Sequence, residues 1–208
     1  MAQASALELL MLDLVNDERV SRGLEPLRIN SDLNQSAEGH SEWMLDTDTF
    51  NHTGDGGSSS NERIREAGYA LEGSWRTAEN IGWQSERGDP GFKDDVADVH
   101  ESLMNSAGHR DNILDPNFEE IGIGVERGDF TNARGTFDGV MITQNFGTTD
   151  AEEDVLVASM EAQAAESAVD RAGSPARDIE SDAVRRSLDV LLDSLDQPAV
   201  GSDCFVFI

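Results

Sequence analysis

The chain of 208 residues carries a formal net charge of -27 and is 38% hydrophobic, which suits one domain of ordinary size with an appendage. Because so negative a surface repels nucleic acid and anionic lipid, we expect the protein to bind neither. The dispersed acids favour solubility in a salty medium over the alternative of divalent-cation binding.

The first predicted helix lies near the N-terminus. Apolar residues repeat at helical spacing over residues 7–15, and Gly23 supplies a stop. Glu8 and Asp13 interrupt this run and no basic segment precedes it, so we expect no conventional signal peptide. We also expect no transmembrane segment, because no stretch is long and apolar enough to span a bilayer.

Two further helices are predicted before residue 70. One begins near residues 30–31. The other follows Ser59 and Glu62, which have the spacing of a capping box, and it ends at Gly68. One face of the second helix carries Leu33, Ala37, His40 and Met44. We interpret His40 as a core or cleft-wall residue rather than as a ligand.

The middle of the chain predicts strands and a fourth helix. We predict a short strand or extended segment at residues 77–83, and two strands at residues 121–125 and 140–146 that are joined by a hairpin loop at residues 128–139. The fourth helix follows a turn at residues 88–91. Its inward positions are Val96, Val99 and Leu103, and His100 is an ambiguous fourth.

The composition shifts near Thr148, where an Ala/Glu-rich segment without aromatic residues begins. We therefore predict a domain over residues 1–148, a helical appendage over residues 149–200 and an apolar tail over residues 201–208. Cys204 is the only cysteine, which excludes an internal disulfide.

Three separated segments carry the most reactive side chains. His52 follows the second predicted helix, Glu79 lies in an otherwise apolar stretch, and His109 follows a small-residue break and precedes a short turn. An imidazole accepts a proton near neutral pH or ligates a metal, and a buried carboxylate requires a partner such as an imidazolium. A folded pocket that gathers all three would be a polar site. Alternatively, each histidine is structural and Glu79 caps a loop.

Short motifs follow one another in a specific order. They are Leu14-Val15-Asn16-Asp17-Glu18-Arg19 with Gly23 and Pro26-Leu27, Phe50-Asn51-His52, Ala78-Glu79-Asn80-Ile81, Asn105-Ser106 with Gly108-His109-Arg110-Asp111-Asn112-Ile113-Leu114, and Ile121-Gly122-Ile123-Gly124. This order resembles the bacterial branch of the CAP superfamily, also called SCP-like (cysteine-rich secretory proteins, antigen 5 and pathogenesis-related 1 proteins), over about residues 6–148. The resemblance implies an α+β fold: a three-layer α-β-α sandwich with a small, mainly antiparallel sheet, followed here by the helical appendage.

The resemblance also implies a central cleft lined by two histidines and two acids, which binds a divalent metal in several members. His52 and His109 match the histidines, and Glu79 matches the first acid. Ser106 stands at the position of the second acid, which leaves a three-residue set. With a metal, His52, Glu79 and His109 would make a zinc-type centre with an open position for water; calcium is the alternative metal. Asn16 and Arg19 match positions that we interpret as structural.

We predict an extracellular module of this family whose cleft, formed by His52, Glu79, Ser106 and His109, binds a divalent metal or a small ligand such as a lipid or peptide. We expect no catalysis, since no Gly-x-Ser-x-Gly elbow or other nucleophile motif is present. A metal-dependent hydrolase of peptides or esters is one alternative. A structural or adhesive surface protein is the other.

The last residues form a separate signal. An acid followed only by apolar residues, as at residues 203–208, resembles the C-terminal signals of bacterial type I secretion substrates. That resemblance implies a secreted bacterial protein without a conventional N-terminal signal peptide. The alternatives are a terminal strand that docks on the sheet and an arbitrary chain boundary.

Overall fold

Five α-helices and five strands make up the part of the chain that the structure, a computed structural model, describes: residues 4–88 and 90–151, and the backbone of residues 204–207. The helices are α1 (Ala6–Ser21), α2 (Ser31–Asp46), α3 (Ser60–Glu66), α4 (Lys93–Asn105) and α5 (Ala107–Ile113). The strands are β1 (Arg28–Ile29), β2 (Arg76–Ser85), β3 (Glu120–Asn132), β4 (Gly135–Thr148) and β5 (Cys204–Phe207).

All five strands belong to one sheet, in the order β1-β3-β4-β2-β5. Only β1 and β3 run parallel, while the three other neighbouring pairs are antiparallel. The long hairpin of β3 and β4 forms the centre, and β2 lies beside β4 with Glu79 opposite Asn145. The predicted small, mainly antiparallel sheet is therefore confirmed.

Helices cover both faces of the sheet, as the alternation of side chains along β3 shows. Ile121 and Ile123 are fully buried in a cluster that includes residues of α1 and α4, among them Met11 and Val99. The intervening glycines face α2. A Cβ on Gly124 would lie 2.3–2.5 Å from backbone atoms of that helix. The backbones of α2 and β3 therefore touch, and the predicted three-layer α-β-α sandwich is confirmed.

Local signals account for where the helices begin. Ser5 and Glu8 form a capping box at the start of α1, and Asn30 caps α2 by accepting hydrogen bonds from two backbone N–H groups. The predicted capping box of Ser59 and Glu62 is present at the start of α3. The predicted helices and their order are confirmed up to residue 105.

Two elements differ from the sequence-based expectation. The segment at residues 128–139 is not a hairpin loop, since β3 and β4 stay paired until Asn132 faces Gly135. Phe130 and Phe137 alternate with polar residues there, and both pack near Trp83. The run after Ser106 is a helix of seven residues, α5, and not only a short turn.

The end of the predicted domain coincides with the end of β4 at Thr148. The predicted appendage lies outside the described residues, except for residues 149–151, and remains a prediction. In the predicted tail, β5 pairs antiparallel with β2, with Cys204 opposite Gln84 and Phe207 opposite Ile81. This pairing matches the alternative of a terminal strand on the sheet, and it does not test the secretion signal.

Candidate functional site

Glu79 lies in β2 and leaves the sheet on the face covered by α2. Its side chain is only 3% exposed, yet both carboxylate oxygens have partners. Oε1 lies 2.8 Å from Nδ1 of His52, and Oε2 accepts a hydrogen bond of 2.6 Å from Nη2 of Arg63. Burial alone raises the pKa of Glu79, but the hydrogen bond from His52 and the charge of Arg63 outweigh it and hold the pKa below its ordinary value.

His52 follows α2 in the loop that leads to α3. Its side chain is 34% exposed, which makes it the accessible member of the pair with Glu79. An ionised carboxylate only accepts hydrogen bonds, so Nδ1 of His52 carries a proton. In the neutral ring, Nε2 therefore carries the lone pair. Glu79 thus sets both the tautomer and the orientation of the imidazole.

Arg63 belongs to this site, although no sequence motif had indicated it. The side chain is 11% exposed, and besides Glu79 it binds two carbonyls: Nη1 donates to His52 at 3.1 Å and to Ser58 at 2.9 Å. The capping box fixes the start of α3, and Arg63 projects from the last turn of this short helix. An arginine in the short helix that follows the His52 loop was the available signal.

His109 lies on α5 and is 1% exposed. Its backbone carbonyl accepts a hydrogen bond of 3.2 Å from Nδ2 of Asn80, the residue next to Glu79. Asn80 leaves β2 on the opposite face of the sheet and also accepts a hydrogen bond of 2.8 Å from Asn112. One side chain of β2 therefore orients His52, and the next one holds the helix that carries His109.

The surroundings of His109 favour its neutral form. Burial is the main cause that lowers the pKa of His109 to about 4, and the positive charge that His52 can carry acts in the same direction. The structure therefore brings His52 and Glu79 into contact, whereas a site that His109 shares with them remains a prediction. Ser106 lies at the junction of α4 and α5, partly exposed, and its backbone N–H donates to carbonyls of α4. Its place in the cleft remains a prediction.

A divalent metal fits these residues only in part. Within residues 4–88 and 90–151, no three histidine, cysteine or acidic side chains are grouped so that they could hold a metal ion. Glu79 is already bound to Arg63 and His52, which suits an orienting group better than a ligand. The imidazoles of His52 and His109 have the donor chemistry that zinc prefers. The three-ligand centre remains a prediction.

Arg19, which the sequence analysis interpreted as structural, ties the end of α5 to the rest of the molecule. The residue is 1% exposed, and its guanidinium donates four hydrogen bonds of 2.8–3.2 Å to backbone carbonyls. These belong to Glu25, Ile113, Asp115 and Phe118. The helix that carries His109 is thus held by Asn80 along its length and by Arg19 at its C-terminal end.

A surface groove with a volume of about 510 Å³ adjoins the site at Arg63. Three acids lie along it, and no other cation joins Arg63 in its lining, which consists of Asp55, Gly56, Gly57, Ser58, Glu62, Arg63 and Glu66. Since Arg63 is paired with Glu79, the groove presents a net negative surface.

None of the helices formed by residues 4–88 and 90–151 is long and apolar enough to cross a membrane.

Two proteins of Bacillus subtilis (strain 168) are similar in sequence. YkwD is 36% identical over 129 residues, which cover 61% of this chain and 46% of YkwD. The membrane protein YlbC is 32% identical over 121 residues, which cover 58% of this chain and 32% of YlbC. The chain therefore spans less than half the length of either relative.

Two solved structures share the fold. An extracellular protein of Bacillus anthracis that contains an SCP domain superposes with a TM-score of 0.52 at 23% identity, covering 70% of this chain and 44% of that one. An outer surface protein of Borrelia burgdorferi has a TM-score of 0.52 at 15% identity, with coverage of 72% of this chain and 97% of that one.

The family model of the cysteine-rich secretory protein family matches residues 12–146. Because that model matches more than half of its length, and a bacterial protein with an SCP domain has the same fold, the chain belongs to the CAP, or SCP-like, superfamily.

Proposed function

We propose that the protein is an extracellular CAP module that binds a cationic ligand at the cleft around His52, Glu79 and His109, without catalysing a reaction. The observation that carries the proposal is the buried carboxylate of Glu79, which holds the accessible imidazole of His52 in one orientation. A carboxylate that is 3% exposed is costly to bury. A role in orienting a binding residue accounts for that cost.

The charge distribution favours a cation over an anionic lipid headgroup. The groove next to Arg63 is lined by acids, and the whole chain carries a net charge of -27. A divalent metal is the simplest ligand of this kind. His52 and His109 would hold it through ring nitrogens, with Glu79 orienting His52. A zinc ion at such a position would polarise a bound water or ligand.

The extracellular location is supported by two proteins with the same fold, one described as extracellular and one as an outer surface protein. A highly acidic surface also suits a protein that must stay soluble in a salty medium. Export by a type I route remains the proposal for how the chain leaves the cell. Fusion of residues 201–208 to a reporter, with secretion measured in a type I export strain, tests that route; no export would contradict it.

Zinc titration by calorimetry tests the binding proposal. We expect wild-type protein to bind one zinc ion, and the double variant His52→Ala/His109→Ala to lose that binding. His100→Phe is the matched control, since it removes a histidine that is buried in α4 outside the cleft. Equal heats of zinc binding for the wild type and the double variant would refute a site shared by His52 and His109.

Hydrolysis of esters or peptides is the second candidate, and the pairing of Glu79 with His52 favours it. A carboxylate on Nδ1 that leaves the lone pair on Nε2 is the arrangement that orients a histidine ligand, and zinc held there would supply a bound water as the nucleophile. We would then expect turnover of p-nitrophenyl acetate that a chelator abolishes and zinc restores. Turnover that persists in His109→Ala would count against this reaction at the cleft.

A further inference from the structure

A third histidine lies behind the site. His40 of α2 is 1% exposed, and its ring stacks on Trp43 with 5.6 Å between centroids and 10° between planes. Nε2 of His40 lies 3.0 Å from the carbonyl oxygen of Asn51. Because a carbonyl only accepts hydrogen bonds, Nε2 is the nitrogen that carries the proton, and Nδ1 carries the lone pair of the neutral ring.

Two further observations agree with this tautomer. In the described part of the chain, Nδ1 of His40 is buried and has no hydrogen-bond partner. Burial also lowers the pKa of His40 to about 4, so the ring is neutral at physiological pH. A neutral imidazole with one proton donates one hydrogen bond, and His40 gives it to the loop that carries His52.

The loop is held on both sides of His52. His40 binds the carbonyl of Asn51, which belongs to the peptide group preceding His52, and Arg63 binds the carbonyl of His52 itself at 3.1 Å. The side chain of Asn51 adds a hydrogen bond of 2.8 Å from the N–H of Thr53. With both neighbouring peptide groups anchored, the direction of the His52 side chain is determined by buried groups.

We propose that His40 is a positioning residue for His52: its Nε2–H anchors the peptide group before His52 and thereby keeps Nδ1 of His52 on Glu79. The competing view is that His40 only fills space in the core. This role rests on the proposed function, which supplies the reason why His52 must be held in one orientation. The tautomers themselves exist with or without a ligand, so they are measurable independently of binding.

Nitrogen-15 spectra of histidine-labelled protein at about pH 8, above the ordinary imidazole pKa of roughly 6.5, test the proposal. In the wild type we expect His40 as the Nε2–H tautomer and His52 as the Nδ1–H tautomer. His40→Phe preserves the stacking on Trp43 but removes the donor, and we expect His52 to lose its single tautomer. His40→Gln supplies an amide N–H in place of Nε2 and should restore it, while His100→Phe should change nothing at His52.

Every outcome of this experiment either supports or refutes the positioning role of His40. A His52 that stays entirely Nδ1–H in His40→Phe would overturn the proposal, and so would a wild-type His40 that is the Nδ1–H tautomer. If His40→Phe fails to fold, the wild-type tautomer of His40 and the behaviour of His40→Gln still decide. A lost His52 tautomer in His40→Phe, combined with no zinc binding even by the wild type, would support the positioning role and refute the proposed metal ligand.

Discussion

Replacement of Arg63 by methionine tests how the buried charge of Glu79 is supported. Methionine keeps much of the length of the side chain but removes the guanidinium that contacts Glu79 at 2.6 Å. Removing one partner of a buried ion pair costs about 3–5 kcal/mol. Two hydrogen bonds to carbonyls are lost as well, at roughly 1 kcal/mol each. Both contributions lower the free energy of unfolding.

The charge contribution depends on pH, because Glu79 can take up a proton when Arg63 is absent. In the wild type its lowered pKa stabilises the fold above the unfolded value of about 4.3, and this stabilisation is lost as the pH falls through the folded value. Protonating the carboxyl in the variant costs at most about 1.4 kcal/mol per pH unit above 4.3, or roughly 4 kcal/mol at pH 7 and 1 kcal/mol at pH 5. We therefore expect Arg63→Met to be much more destabilising at pH 7 than at pH 5.

Urea denaturation at the two pH values measures this difference. Arg22→Met is the matched control, since Arg22 pairs with Glu18 on the surface and its side chain is 46% exposed; we expect a loss below about 0.5 kcal/mol. The double variant Arg63→Met/Glu79→Gln should lose the pH dependence. A loss for Arg63→Met that is equal at pH 5 and pH 7 would refute the reasoning.

Three further predictions concern the frame of the site and are measurable by urea denaturation. Gly124→Ala should destabilise the fold by at least about 1–3 kcal/mol, because the new Cβ would lie 2.3–2.5 Å from the backbone of α2. The control Gly39→Ala, within α2 where a Cβ meets nothing within 4 Å, should be neutral or stabilising by up to about 1 kcal/mol; equal losses for both would contradict the close approach. Ser59→Ala should cost about 1 kcal/mol through loss of the cap on α3, and an unchanged midpoint would show that the cap adds nothing. Burial raises the pKa of Asp95 to about 6, so the folded state binds this proton more tightly than the unfolded state does, and stability falls as the pH rises from about 3.8 to about 6. Asp95→Asn should therefore be stabilising at pH 8 and close to neutral at pH 4. A variant that is less stable than the wild type at pH 8 would contradict this expectation.

The elements that the sequence predicted correctly are those that depend on local interactions. Capping residues such as Ser59, and apolar residues at helical spacing in α1, α2 and α4, act over one or two turns, so a linear pattern is enough to place them. The extension of the β3–β4 hairpin was missed because its outer half is mostly polar. Its one buried aromatic, Phe130, packs in a cluster with Trp83 and Met44, which are far away in the chain.

The sequence indicated candidate residues for the site but not the contacts that connect them. Motif order indicated His52, Glu79 and His109, and a buried Glu79 required a partner. The second partner, Arg63, and the anchoring by His40 depend on hydrogen bonds between side chains and backbone carbonyls of a loop. Such contacts depend on the path of the loop in space, which no residue spacing encodes. Asn80 was missed for the same reason, as its partners lie on α5 and β4.

Because Glu79 and Asn80 are neighbours in β2 and point to opposite faces of the sheet, their contacts depend on the register of β2 against β4. A slip by one residue would exchange the two side chains, so that the carboxylate would lie beneath α5 and the amide would face Arg63. A misaligned strand would then leave a guanidinium and a carboxylate buried apart from each other, on opposite sides of the sheet. The contacts of Glu79 with Arg63 and His52 therefore disfavour a misregistered β2 during folding, so residues of the candidate site also specify the strand alignment.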